Sequence, residues 1–274
     1  MANNVENALY IVATPIGNLD DITLRALEVL KAVDIIACED TRNTSILLEK
    51  YNISTKLISY HKFSETKRTE LFLEYLQEGK SIALVSDAGT PLISDPGNIL
   101  VDNAVKNGYK VIPVAGASAI TVLLSAVSRQ DEDFKFIGFI SRVQNQILDI
   151  VSKNKNENLI FYESPNRLIE TLSIIEKKYP QKIVTIGREL TKKFEEIKKD
   201  NIKNIIEYYK TNTLKGEIAV LLHKSEEKEE IDLKEKIEKL QKLNLKDKEI
   251  SSVISALYEV NKNDVYKMCL EMKK

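Results

Sequence analysis

Cysteine and histidine are nearly missing from this chain: of 274 residues, two are cysteine and two are histidine. Cys38 and Cys269 stand far apart in apolar-patterned segments, so they read as buried thiols and not as a disulfide framework. With only His61 and His223 to join them, no His/Cys metal cluster can be assembled, and a zinc enzyme is not expected. Long apolar runs are also missing. No stretch approaches the ~20 residues of a membrane span, and Met1-Ala-Asn-Asn-Val-Glu6 lacks the basic-then-apolar order of a signal peptide, so the expectation is a cytoplasmic protein without membrane contact. Forty basic residues against 41 acidic ones leave a net charge of −1. Any RNA binding therefore needs a local basic face. G-x-G-x-x-G after the first strand, G-x-x-x-x-G-K-[ST] and G-x-S-x-G are all absent, which removes the usual dinucleotide and phosphate loops and lowers the case for a serine hydrolase.

What is present is a soluble globular composition, 43% hydrophobic and 30% charged, long enough for two domains and a small appendage. The segment Ser86 to Gly97, SDAGTPLISDPG, follows the apolar run Ser81 to Val85. Two prolines, two glycines and two aspartates behind a buried strand make a rigid concave lip of the kind that holds ligands at strand ends, although an ordinary connection is the plain alternative. Strands are expected at Ala8 to Ala13, Asp34 to Cys38, Lys56 to Tyr60 and Lys110 to Val114. They alternate with helices at Thr23 to Val33, after Arg42 through Leu48, Lys67 to Gln77 and Asn98 to Asn107. Alternation of this kind implies a mostly parallel sheet.

The helical run Ala119 to Val127 leads into a second α/β domain with mixed strand directions. Its expected strands are Phe134 to Ile140, Asn158 to Tyr162, Lys182 to Ile186 and Gly216 to His223, and its helices Arg167 to Tyr179 and Asn201 to Lys210. The charge run Ser225 to Glu230 marks a linker. Beyond it, Lys246 to Tyr258 and Asp264 to Met272 form a helical hairpin across Glu259 to Asn263. The hairpin is either a packing unit or, through Lys246, Lys248, Lys262 and Lys267, a nucleic-acid contact. The expected domains are 1–117, 118–225 and 226–274.

Five polar turns at strand ends could carry chemistry: Thr14 to Asn18, Glu39 to Arg42, Ser86 to Gly97, Ala115 to Ala119 and Glu163 to Arg167. On a parallel sheet the first four share one edge and line one cleft. Each has a bland alternative. Thr14 to Asn18 can be only a tight turn. Asp40 and Thr41 can be only a helix cap, but the adjacent Arg42 favours a site that positions a hydroxyl or shifts a pKa. His61 is a proton acceptor or a structural histidine. Glu163 to Arg167 opens a helix and leaves an exposed Arg167 suited to an anion. Arg188, Lys192 and Lys193 lie close in sequence and form the best local basic patch for RNA phosphates, or a merely solvated face.

In order and spacing, LYIVATPIGNLDDITLRALEVLKAVDIIACEDTR, LVSDAGTPLISDPG, LIFYESPNR, GRELTKKFEE and KGEIAVLL resemble the signatures of the tetrapyrrole methylase superfamily. They are most similar to its ribosomal branch, the small-subunit rRNA cytidine 2′-O-methyltransferases. The resemblance runs over almost the whole chain. It implies two α/β domains of tetrapyrrole methylase type with a cofactor cleft between them, plus a small C-terminal helical hairpin. It also implies S-adenosylmethionine as cofactor, small-subunit rRNA as partner, and a homodimer. Carried over by position, the cofactor would meet Pro15, Gly17, Ala88, Gly89, Thr90, Ile93, Ser118, Ala119 and Glu163. For deprotonating a ribose 2′-hydroxyl, Asp40 is the first candidate, His61 the second, with Arg42 holding a phosphate or steadying the carboxylate. Asp87 and Asp95 would shape the loop or face the sulfonium charge.

The chain departs from the pattern at Ala115, where proline is typical, near Ser128, where glycine is common, and over Ile140 to Asn145, where a proline and a basic cluster give way to Arg142 alone. A tetrapyrrole C-methyltransferase is disfavoured by the first loop, Thr14-Pro-Ile-Gly-Asn18, and by the basic segment. A non-catalytic rRNA-binding assembly factor is disfavoured by Asp40, Arg42, Asp87 and Asp95.

Overall fold

The structure, a computed structural model, describes residues 5–62, 65–129, 131–212, 214–224, 233–243, 245–258 and 260–272. The chain divides into two compact units, Met1–Ser225 and Glu226–Lys274.

In the first unit, strands β1 (Leu9–Val12), β2 (Ile35–Cys38), β3 (Lys56–Ser59), β4 (Ile82–Val85) and β5 (Val111–Val114) form a wholly parallel sheet in the order β3-β2-β4-β1-β5. Central parallel strands are covered on both faces, and β2 and β4 are accordingly apolar and buried at every position. Helices α1 (Leu24–Ala32) and α2 (Thr41–Lys50) pack on one face, through Val29, Leu30 and Leu48; α3 (Glu65–Gln77) and α4 (Asn98–Lys106) pack on the other, through Phe72, Leu76 and Leu100.

Helix α5 (Ala119–Ser125) then leads to a second sheet of β6 (Phe134–Phe139), β7 (Asn158–Glu163), β8 (Ile183–Arg188), β9 (Glu196–Asn201) and β10 (Ile218–Leu222), in the order β6-β7-β10-β8-β9. Its strands run in mixed directions: β6 and β7 are parallel, and the other pairs are antiparallel. Helices α6 (Gln144–Lys153), α7 (Pro165–Lys178) and α8 (Ile202–Thr211) cover one face. The opposite face, with Ile160, Ala219 and Leu221, is covered by Leu123 and Leu124 of α5 and by Ile16, which reaches over from the turn after β1. That shared apolar cluster joins the two sheets.

In the second unit, α9 (Leu233–Gln241), α10 (Asp247–Tyr258) and α11 (Lys262–Glu271) enclose Ile237, Ile250, Ile254, Val265 and Cys269. A third helix thus joins the expected hairpin. The linker expected at Ser225 to Glu230, and Glu259, lie outside the described residues. Among the described residues, no helix is long and apolar enough to cross a membrane.

Strand β9 and helices α6 and α9 were not expected from the sequence. Strand β9, EIKKDN, is an edge strand, and charge on an edge hides the alternation that marks a strand while discouraging pairing with another chain.

Candidate active site

The chain leaves β1 toward β2, beyond β4, and leaves β4 toward β5, beyond β1, so these two neighbouring strands send their connections in opposite directions. Open α/β sheets bind ligands at such crossings. Here the two loops are tied together. Thr14 and Gly89 exchange backbone hydrogen bonds of 2.9 and 3.0 Å, and the Thr14 hydroxyl donates to the Ser86 carbonyl at 3.1 Å. The Thr90 hydroxyl donates to the Ala117 carbonyl at 3.1 Å and draws in the turn after β5. Within SDAGTPLISDPG, the non-glycine residues Leu92 and Ser94 hold positive φ angles of 71° and 74°. Strain of that kind persists where surrounding structure imposes it, and it clusters at ligand sites.

This loop and the second sheet enclose a cavity of about 390 Å³. Of the expected cofactor residues, Ala88, Gly89, Thr90, Ile93, Ser118, Ala119 and Glu163 line it. Pro15 and Gly17 do not; the lining residue of that turn is Ile16. Gly17 has a packing reason instead. A Cβ there would stand 2.3 Å from Lys192 Cγ and 3.0 Å from the Leu190 carbonyl oxygen, so the glycine lets the two loops touch. The second sheet contributes wall residues that sequence reasoning missed, chiefly Phe139, Tyr162, Leu190 and Glu217. Their only sequence signal was position at a strand end.

The carboxylates of the first sheet have different environments. Asp40 caps α2, accepting from the Arg42 amide at 2.9 Å, and its carboxylate pairs with the Arg42 guanidinium at 2.6 Å. These hydrogen bonds hold it down at about 2. Asp40 does not line the cavity; its amide donates to Asp87 Oδ1 at 3.0 Å, and Asn43 donates to Asp87 Oδ2 at 2.9 Å, which fixes Asp87 on the wall. Asp95 lies on the wall itself, and burial, then the nearby charge of Glu39, push it up to about 6. Glu39 is raised by burial and by Asp87, with His61 acting in the opposite direction. His61 is half-buried beside Glu39 and is not part of the cavity lining. Among the described residues, no group of three or more His, Cys, Asp or Glu side chains could hold a metal ion.

The expected cations of the second sheet are mostly engaged. Arg167 is not the exposed group expected from the sequence: it pairs with the buried Glu163 at 3.2 Å and donates to the Ser141 carbonyl at 2.9 Å. The Glu163 carboxylate also accepts from the Ser164 amide and the Thr171 hydroxyl, both at 2.7 Å, so its polar capacity is spent on the start of α7. Arg188 faces Glu196 at 3.6 Å, and Lys192 bridges Glu189 at 2.8 Å and Glu217 at 3.1 Å. Lys193 remains exposed, beside the exposed ring of Phe194. The basic patch read from sequence is therefore largely neutralised, by Glu189 and Glu196 from the same stretch of chain and by Glu217, which folding brings close.

Residues 8–206 match the family model of the Tetrapyrrole (Corrin/Porphyrin) Methylases. Proteins named ribosomal RNA small subunit methyltransferase I are similar over nearly the full chain. The one from Halalkalibacterium halodurans is 40% identical, covering 95% of this chain and 94% of its own. That from Pasteurella multocida is 39% identical, covering 98% and 99%, and that from Escherichia coli O157:H7 is 40% identical, covering 99% and 98%. Among solved structures, a diphthine synthase has a TM-score of 0.65 at 14% identity, covering 79% of this chain and 90% of its own. A cobalamin biosynthetic enzyme, cobalt precorrin-4 methyltransferase, has 0.60 at 17%, covering 79% and 95%. These two share the fold. With its crossed loops, bipartite cavity and full-length relatives, this chain belongs to the tetrapyrrole (corrin/porphyrin) methylase family and is a methyltransferase.

Proposed function

We propose that this chain transfers a methyl group from S-adenosylmethionine to the ribose 2′-hydroxyl of a cytidine in small-subunit rRNA. The observation that carries the proposal is full-length similarity at about 40% identity to proteins named ribosomal RNA small subunit methyltransferase I. The residues present suit the cofactor. A cavity of about 390 Å³ is of the size that takes a small cofactor. Ile16, Ile93, Leu190 and Ala219 offer apolar wall for an adenine, while Asp87, Asp95 and Glu217 offer negative charge toward a sulfonium. When bound, S-adenosylmethionine supplies an electrophilic methyl group.

The protein's own contribution is to position the hydroxyl and to accept its proton. Asp95 is the better base in this proposal: it faces the cavity, and at about 6 it is ionised at neutral pH yet basic enough to take a proton late in the attack. Asp40, held at about 2 by Arg42, is a weak base; its carboxylate is assigned to capping α2, and its main-chain amide holds Asp87. Exposed Arg142 and Lys193 are left to meet phosphates, while Arg42, also exposed, is paired with Asp40. The two sheets act as domains meeting near residue 117, and the enzyme works as a cytoplasmic homodimer.

Incubating the protein with labelled S-adenosylmethionine and under-methylated small subunits, then mapping the label by nucleotide, tests the proposal. Label on one cytidine ribose supports it. Cofactor binding without transfer to any small subunit refutes it.

A further inference from the structure

We infer that Phe139 is the platform on which the target nucleobase stacks, and so a substrate-binding residue; the inference rests on the rRNA reading above. Strand β6 does not end regularly. Its register with β7 shifts between Phe136 and Phe139, and Gly138 within the shift has φ +68°, a conformation that side chains disfavour. Such bulges turn the following side chain away from the direction the strand would give it. Phe139 consequently lines the cavity while 65% of its surface stays exposed.

The ring is nevertheless held. It meets Tyr162 edge to face, centroids 5.6 Å apart, and Tyr162 is backed in the same way by Phe136 at 5.0 Å. The bulge also abuts the loop that carries Asp95, since a Cβ on Gly138 would stand 3.2 Å from Ser94 Oγ. A fixed, exposed aromatic ring thus sits on the rim of the same cavity as Asp95.

The chemistry of that rim selects among the parts of a nucleotide. Asp87, Asp95 and Glu217 on the cavity wall repel phosphate, whereas the ring offers a π face to a planar base. To bring its ribose hydroxyl to Asp95 on the cavity wall, a stacked nucleotide has to leave the surrounding stack, and an aromatic side chain replaces the stacking so lost.

The test uses the full chain, under-methylated small subunits and labelled S-adenosylmethionine. Phe139→Ala should lower kcat/KM for the subunit by roughly 5- to 100-fold, with cofactor affinity by calorimetry essentially unchanged. Phe139→Trp and Phe139→Tyr should retain activity, and Phe139→Leu should not. The inference is overturned if Phe139→Ala keeps full kcat/KM, or if Phe139→Leu restores it. It is equally overturned if cofactor affinity falls by the same factor, which would make the ring an adenine contact, or if the native mass changes, which would make it a subunit contact. Wild-type protein that transfers no methyl group to any small subunit would overturn the functional reading and this inference together; an active wild type with an unaffected alanine variant overturns the inference alone.

Discussion

Asp95→Asn is expected to make the protein more stable and nearly inactive at once. Burial and the charge on Glu39 raise Asp95 from 3.8 to about 6, so the fold carries an ionised group that its surroundings disfavour at neutral pH. A shift of that size corresponds to roughly 3 kcal/mol at full burial. Asp95 is only partly buried, and solvent screening reduces the gain from neutralising it to about 1 kcal/mol. Asparagine keeps the side chain's shape and an acceptor for Ser86 while removing the charge. The gain should vanish below about pH 3, where the carboxyl is protonated folded and unfolded, grow as pH rises toward 6, and stay flat above. Thermal unfolding at pH 7.5 should show a midpoint raised by about 2–4 °C. Methyl transfer should fall by roughly 10²- to 10⁴-fold if the carboxylate is the base, and the wild-type rate should climb with pH through about 6. A destabilised variant at pH 7.5, or one within threefold of wild-type turnover, would refute the reasoning.

Gly17→Ala should displace Lys192 from its bridge to Glu189 and Glu217, destabilise the protein by about 1–3 kcal/mol in denaturant titration, and weaken cofactor binding through Glu217. Asp40→Ala, losing the α2 cap and the Arg42 pair while keeping the main-chain amide that holds Asp87, should lower the thermal midpoint slightly and slow turnover far less than Asp95→Asn; an equal loss would return Asp40 to the proton-transfer role. Lys193→Ala should weaken rRNA binding and reduce the slope of log affinity against log salt by about one, with cofactor affinity unchanged by calorimetry.

The parallel sheet was legible because strands buried on both faces leave continuous apolar runs, as in Ile82 to Val85, and because proline, glycine and aspartate announce the loop at Ser86 to Gly97. Its role as a wall of the cavity follows from the same chemistry. Strand β9 was hidden because its lysines and acids sit on an edge, where no periodic burial is imposed. Helix α6 buries only Ile147 and Val151, one turn apart, too few positions to mark a helical period in the sequence.

The candidate site divides along the same line. Sequence alone placed carboxylates in the turns at strand ends and marked Ser86 to Gly97 as a ligand-side loop, since turn chemistry is local; the Glu39 to Arg42 turn, expected to line the same cleft, stays off the cavity wall. The resemblance put Asp40 first for proton transfer; the folded surroundings favour Asp95 instead, because Arg42, two residues along, holds Asp40 low while a half-buried place on the wall drives Asp95 up. The sequence did not show that Arg167 and Lys192 are paired, or that a bulge at Gly138 turns Phe139 toward the cavity. The pairs of Arg167 with Glu163 and of Lys192 with Glu189 are local, and only Glu217 reaches Lys192 from afar; burial and side-chain direction depend on packing partners distant in the chain, which exist only once the sheets have formed.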